Sequence, residues 1–142
     1  MIIKLMKKQD LINEFVDVFS KINRAKTFVD FQFYLKGESI FLSYLEETGG
    51  SAAPSELAKE LQISPARVAA IIKSLEIKKL VIRKSSPGDK RRNLVEITKK
   101  GSEWVEITKN RLSESAVLLL DKLGEEDTAE LLRILNKISK IQ

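Results

Sequence analysis

Neither cysteine nor histidine occurs anywhere in the chain. Disulfides, thiol redox switches, zinc sites built on Cys or His, histidine general-base catalysis and cysteine nucleophiles are excluded together. No metal and no cofactor is expected. Long hydrophobic runs are also missing. No stretch reaches the roughly 18 apolar residues of a membrane span, and the apolar part of residues 1–8 is too short for a signal peptide. A cytoplasmic protein with no membrane partner is the expectation. The acid pairs Glu46/Glu47 and Glu125/Glu126 are sequence neighbours in helical stretches, which turns them to different faces rather than toward a shared substrate. An enzyme is therefore the weakest reading.

What is present fits one sizeable core: 142 residues, 43% apolar and 32% charged, a globular composition somewhat richer in charge than usual. The placement of charge says more than the formal total of +5. Residues 53–92 hold ten Lys/Arg against four acids, a net +6, and the rest of the chain holds 15 against 16, a net −1. A segment that carries the whole positive excess suits a polyanion, although charge runs are often only solvated faces.

Apolar residues at helical spacing predict a long first helix over about 8–33, through Leu11, Ile12, Phe15, Val18, Phe19 and Ile22. A short helix around Ile40–Leu45 follows and stops at Gly49-Gly50. Next comes a short helix over 56–61, a turn at Gln62-Ile63, and a helix from Ser64-Pro65 to about Lys79 with Val68, Ile71, Ile72 and Leu75 on its buried side. Ser can cap free N–H groups, and Pro at the first helical position loses nothing by lacking its own. Two β-branched runs, 80–84 and 94–98, are read as strands with Leu80/Ile82 and Val95/Ile97 alternating, and they flank a basic turn at 85–92. Helical patterns then run from Thr98 to Leu123 and, after Gly124, through Leu131, Leu135 and Ile138.

Short helix, tight turn, capped second helix and β-hairpin make a winged helix-turn-helix, in which the second helix enters the DNA major groove. The fold class expected is mainly α with a small β-hairpin wing and terminal dimerisation helices. Its parts are an N-terminal dimerisation helix (1–35), the DNA-binding region (36–98) and C-terminal dimerisation helices (99–142), all in one compact structural unit.

With the apolar face buried, Pro65, Ala66, Arg67, Ala70, Lys73 and Ser74 are left to meet double-stranded DNA. Arg67 is the candidate base reader, because a guanidinium can bond bidentately to guanine O6 and N7. Lys73 is read as a phosphate contact or as an exposed residue serving solubility. Ser55 and Ser64, at helix starts, are read as caps, phosphate contacts or both. Lys90, Arg91 and Arg92 sit on the hairpin tip, where arginines suit a narrow minor groove, unless the tip is only a charged loop. Asp89 is read as structural, accepting turn N–H groups and holding Arg91.

The terminal helices carry more apolar surface than so small a core can cover, which points to a two-fold homodimer on an inverted repeat. Phe28, Phe31, Phe33, Tyr34, Phe41 and Tyr44 cluster around the break between the first two helices. They read as core, or as a cleft for a small aromatic or apolar ligand.

The chain resembles the MarR family of bacterial regulators in helix order over nearly its whole length. The likeness is sharpest at Asp89-Lys90-Arg91-Arg92-Asn93-Leu94-Val95-Glu96-Ile97-Thr98-Lys99-Lys100-Gly101, which fits the wing pattern D-x-R-x-x-x-V-x-[LI]-T-x-x-G. Leu57-Ala58-Lys59-Glu60-Leu61, Ile63-Ser64 and Leu75-Glu76 fit the family's helix-turn-helix. The resemblance implies a wing pair at Asp89 and Arg91, Arg67 on the reading helix, dimerisation by the terminal helices, and a ligand cleft between dimer and DNA-binding parts. Two departures stand out. Ala69-Ala70 replace the common Thr-Arg, and Lys79 replaces the Gly common just before the wing strand. The competing reading is a winged-helix module for protein docking, or for architectural DNA binding without ligand response.

Overall fold

The computed structural model describes residues 7–86 and 88–141, with the backbone alone at 27, 86 and 90–92. The long first helix of the sequence reading is in fact broken. α1 (Lys8–Arg24) ends at Ala25, whose backbone is extended (φ −70, ψ 129), and a single 3-10 turn (Lys26–Phe28) leads into α2 (Val29–Tyr34). Gln32 Nε2 bridges the break, donating to the Asn23 carbonyl at 2.6 Å and to Asn23 Oδ1 at 3.0 Å. α2 lies against the last helix, with Phe33 and Trp104 ring centroids 5.9 Å apart.

Three successive helices end by one device. α3 (Gly37–Glu47), α4 (Pro54–Glu60) and α5 (Pro65–Ile77) are each followed by a residue at positive φ: Gly49 (91°), Gln62 (53°) and Lys79 (62°). The next N–H in each case returns to a carbonyl of the last turn: Gly50 to Leu45 at 2.7 Å, Ile63 to Ala58 at 3.1 Å and Leu80 to Leu75 at 2.9 Å. This closure satisfies carbonyls that a helix end otherwise leaves open. Two of the three left-handed positions carry a side chain, which costs about 1–2 kcal/mol where glycine costs none, partly offset by the greater freedom glycine has in the unfolded chain. Lys79→Gly is therefore expected to raise stability by about 0.5–1 kcal/mol, a rise of roughly 2–3 °C in a thermal melt.

The sheet has three strands in the order β1-β3-β2, one more than the sequence pattern predicts. β1 (Ser51–Ala52) pairs with Glu96 and Val95 of β3 (Asp89–Ile97), and β2 (Val81–Ser86) lies on the other side of β3. Val81 faces Ile97 and Arg83 faces Val95 across the ladder, so the inward face carries Val81, Val95 and Ile97. Ile82, expected to be inward, is 42% exposed, and Val81 takes its place at 1%.

The core is drawn from residues 41–105: Phe41, Leu42 and Leu45 of α3, Leu57 of α4, Val68, Ile72 and Leu75 of α5, Leu80, Val81 and Val95 at the sheet, and Val105 of the last helix. α6 (Lys99–Ile138) begins at Thr98, whose hydroxyl accepts the Gly101 N–H at 3.0 Å, and it breaks at Gly124 (φ 79, ψ 172), where the sequence predicts a junction between two helices. α1 contributes no buried residue, and in α6 the buried positions are Gly101, Val105 and Thr108. Among the described residues no helix is long and apolar enough to cross a membrane.

Candidate nucleic-acid interface

α5 is anchored at both ends. Ser64 Oγ accepts the Arg67 N–H at 3.2 Å, and Pro65 fills the first helical position, as the sequence predicts. Val68, Ile71, Ile72 and Leu75 are buried. At about 100° per residue, Ala66, Ala70, Lys73 and Ile77 lie opposite them, and all four are exposed. Arg67 is exposed too, but it stands about a quarter turn from that centre, on the rim of a shallow groove that it lines with Lys36, Gly37, Leu61 and Ile71. Among the described residues neither Arg67 nor Lys73 makes an ion pair.

Ser74 and Ser55 differ from expectation. Ser74 is turned inward and donates to Glu38 Oε1, and Lys78 Nζ donates to Glu38 Oε2. Ser74 is thus taken up in a tie between the start of α3 and the end of α5. Ser55 is exposed at the second position of α4, while the cap position belongs to Ala53, which offers no side-chain acceptor. Ser55 is not a cap.

Burial pushes the Glu38 carboxyl up, but the hydrogen bonds from Lys78 and Ser74 and the Lys78 charge outweigh it and hold the group below the usual carboxylate range. A carboxyl depressed in the folded state takes up its proton later than in the unfolded chain. Its contribution is therefore complete above the unfolded pKa and is lost as pH falls through the folded one. Wild type should melt above Glu38→Gln at pH 7, with the two curves converging as the pH drops below about 4, the ordinary Glu value.

The wing is a longer ladder than the sequence pattern suggests. Its register runs regularly from Val81↔Ile97 to Ser85↔Asn93 and then jumps to Ser86↔Asp89. The jump places residues 90–92 in an irregular stretch at the tip, next to Gly88 at φ 90°. The side chains of Lys90, Arg91 and Arg92 lie outside the described part of the structure, and the pairing expected between Asp89 and Arg91 lies there with them. Below the tip, Arg83 Nε donates to both Glu76 carboxylate oxygens at 3.2 Å, and Lys84 Nζ meets Glu96 Oε1 at 2.7 Å. These two cations serve to fix the hairpin to α5 and to itself. Part of the positive excess counted in the sequence is thus neutralised locally.

The aromatic set divides. Phe41 is fully buried in the core and cannot line a cleft. Phe28 and Phe31 pack on each other at 5.4 Å. Tyr34 and Tyr44 line an open hollow of about 270 Å³ with Ile40 and Leu61. A separate hollow of about 240 Å³ between α2 and α6 is walled by Val29, Asp30, Phe33, Thr108 and Arg111. Val29, Asp30, Thr108 and Arg111 were not singled out in the sequence, because nothing in their spacing shows that α2 folds onto α6.

Helix, turn, capped helix and three-stranded wing around one core define a winged helix-turn-helix. Residues 37–92 match the model of the MarR family. The YusO protein of Bacillus subtilis has the same fold at a TM-score of 0.72, with 21% identity over 96% of this chain and 100% of that one. A point mutant of MepR from S. aureus gives 0.69, with 26% identity over 96% and 100%. A second MepR mutant, bound to an oligodeoxyribonucleotide, gives 0.57, with 24% identity over 96% and 100%. No curated protein sequence matches the chain. Over residues 37–92 the chain is thus similar to the MarR family, and over nearly its whole length it shares the fold of these solved structures.

Proposed function

We propose that this protein is a transcriptional repressor that binds an inverted repeat in double-stranded DNA as a homodimer, in the cytoplasm and without catalytic activity of its own. The observation that carries the reading is α5, whose outward face is left uncovered while its two ends are fixed by Ser64 and by the Glu38 tie. A helix held so firmly by one face, with the other offered to solvent beside a basic hairpin, is suited to a major groove. The dimer is supported by the uncovered apolar faces of α1 and α6. Release by a small apolar or aromatic ligand is supported by the hollow between α2 and α6, which carries Phe33 on its wall.

The test is selection of bound duplexes from a random library at about 0.15 M salt, where screening suppresses loose electrostatic binding. The expected outcome is an enriched inverted repeat with half-sites about one helical turn apart. Weak, fully salt-sensitive binding with no enrichment would favour an architectural or protein-docking role.

Arg67 and Arg91 separate the two kinds of contact. Arg67→Ala should relax the sequence preference at one position, at a cost of about 1–3 kcal/mol on the preferred site. Arg91→Ala should weaken binding to all DNA alike and lower the slope of affinity against salt by about one unit. Binding curves on preferred and scrambled duplexes check both, and equal loss on every sequence for Arg67→Ala would contradict its role as base reader.

A further inference from the structure

The polar side chains of α5 are distributed in a way that leaves the centre of its outward face without a donor or an acceptor at the end that enters the groove. Arg67 is set to the rim beside Lys36 and Leu61, and Ser74 is committed to Glu38. Lys73, though central, sits two turns from the capped end, and Ile77, 74% exposed, lies further still. In a helix-turn-helix the N-terminal residues of the reading helix meet the base edges. Here those residues are Ala66 and Ala70, both exposed and four apart on one face.

We infer that Ala66 and Ala70 select thymine in the half-site by packing against its 5-methyl group, so that specificity at the centre of each half-site is set by apolar contact rather than by hydrogen bonding. The inference rests on the DNA-binding reading above. The chemistry is discriminating. An alanine methyl cannot satisfy guanine O6 and N7, cytosine N4 or adenine N6 and N7, and it covers them at the expense of their water. Against thymine it buries one methyl on another, the one apolar feature the major groove presents. The short side chain also lets the helix backbone come close. Residues four apart on a helix are separated by about 6 Å along its axis, so the two thymines should lie about two base steps apart.

The experiment replaces each thymine of the selected half-site, one at a time, by deoxyuridine, which keeps the pairing and removes only the methyl. Two positions, about two base steps apart, should lose affinity by about four-fold each, the worth of one buried methyl, and the other thymines should lose none. In Ala70→Gly the loss at one of those positions should vanish, and in Ala66→Gly the loss at the other, with circular dichroism recording that each variant keeps its helix content. Selective binding in which no thymine responds to deoxyuridine would overturn the inference and leave the regulator reading intact. Failure of the selection to enrich any duplex would overturn both.

Discussion

Gly101→Ala should lower the stability of the protein by about 3 kcal/mol or more, although alanine is the better helix former by about 1 kcal/mol. The two effects have opposite signs, and the geometry decides between them. Gly101 is buried in the first turn of α6, where a Cβ would stand 2.2 Å from the Leu80 carbonyl oxygen and 2.6 Å from Ile97 Cγ1. The first obstacle is backbone and cannot rotate away. The same carbonyl accepts the Thr98 N–H at 3.0 Å, while the Thr98 hydroxyl donates to the Lys79 carbonyl at 2.8 Å and caps α6. Pushing α6 outward to make room would strain the junction of α5, β2, β3 and α6 at once. A net loss of about 3 kcal/mol corresponds to a fall of roughly 10 °C in a melt followed by circular dichroism. An unchanged or raised melting temperature would mean that helix propensity dominates at this site and that the close approach to Leu80 is not maintained.

This junction also shows where the sequence could be read and where it could not. The Thr98-x-x-Gly101 spacing, the Ser64-Pro65 start and the Gly49-Gly50 stop each state a local requirement in the residues themselves, and the helices and hairpin they delimit are found in the expected order. β1 was invisible because two residues, Ser51 and Ala52, are too few to show an alternation. The break at Ala25 carries no Gly or Pro, and its bridge depends on Gln32 reaching back to Asn23. At the base of the wing, Val81 and Ile82 are adjacent and both β-branched, so only pairing with Ile97 decides which of them faces the core. Ser74 lay on a face that helical spacing marks as open, and it was claimed by Glu38 from a segment 36 residues earlier. Long-range partners of this kind leave no trace in local pattern.

The same contrast separates how α5 is held from what α5 offers. Everything that fixes the helix is local or belongs to residues 38–83: the Ser64 cap, the apolar face, the Glu38 tie and the Arg83–Glu76 contact. Changes on its outward face should therefore alter DNA preference with little effect on stability, since that face contributes nothing to the core.

Phe15→Asp combined with Phe19→Asp should abolish the proposed dimer and reduce affinity for the proposed inverted repeat by about 10²–10⁴-fold, while affinity for an isolated half-site stays the same. Phe15 and Phe19 stack at 5.8 Å on α1 and are 67% and 62% exposed, beside Ile12, Val16 and Ile22 on the same helix. α6 presents Leu118, Leu132, Leu135 and Ile138 in the same uncovered state. Surface of this extent on two terminal helices is suited to a second copy of the chain, because a two-fold contact covers both faces in each protomer. With both aromatic anchors charged, association would bury carboxylates against apolar side chains, which is strongly opposed. The core lies within residues 41–105 and α1 supplies none of it, so the variant should keep its helix content and its melting behaviour apart from any part that depends on concentration. Sedimentation should then show one chain where wild type shows two, and binding to the repeat should fall to that of a single half-site because the second reading helix is no longer tethered. If the variant still sediments as two chains, the interface lies elsewhere; if it sediments as one and binds the repeat as tightly as wild type, a single α5 and wing suffice for recognition.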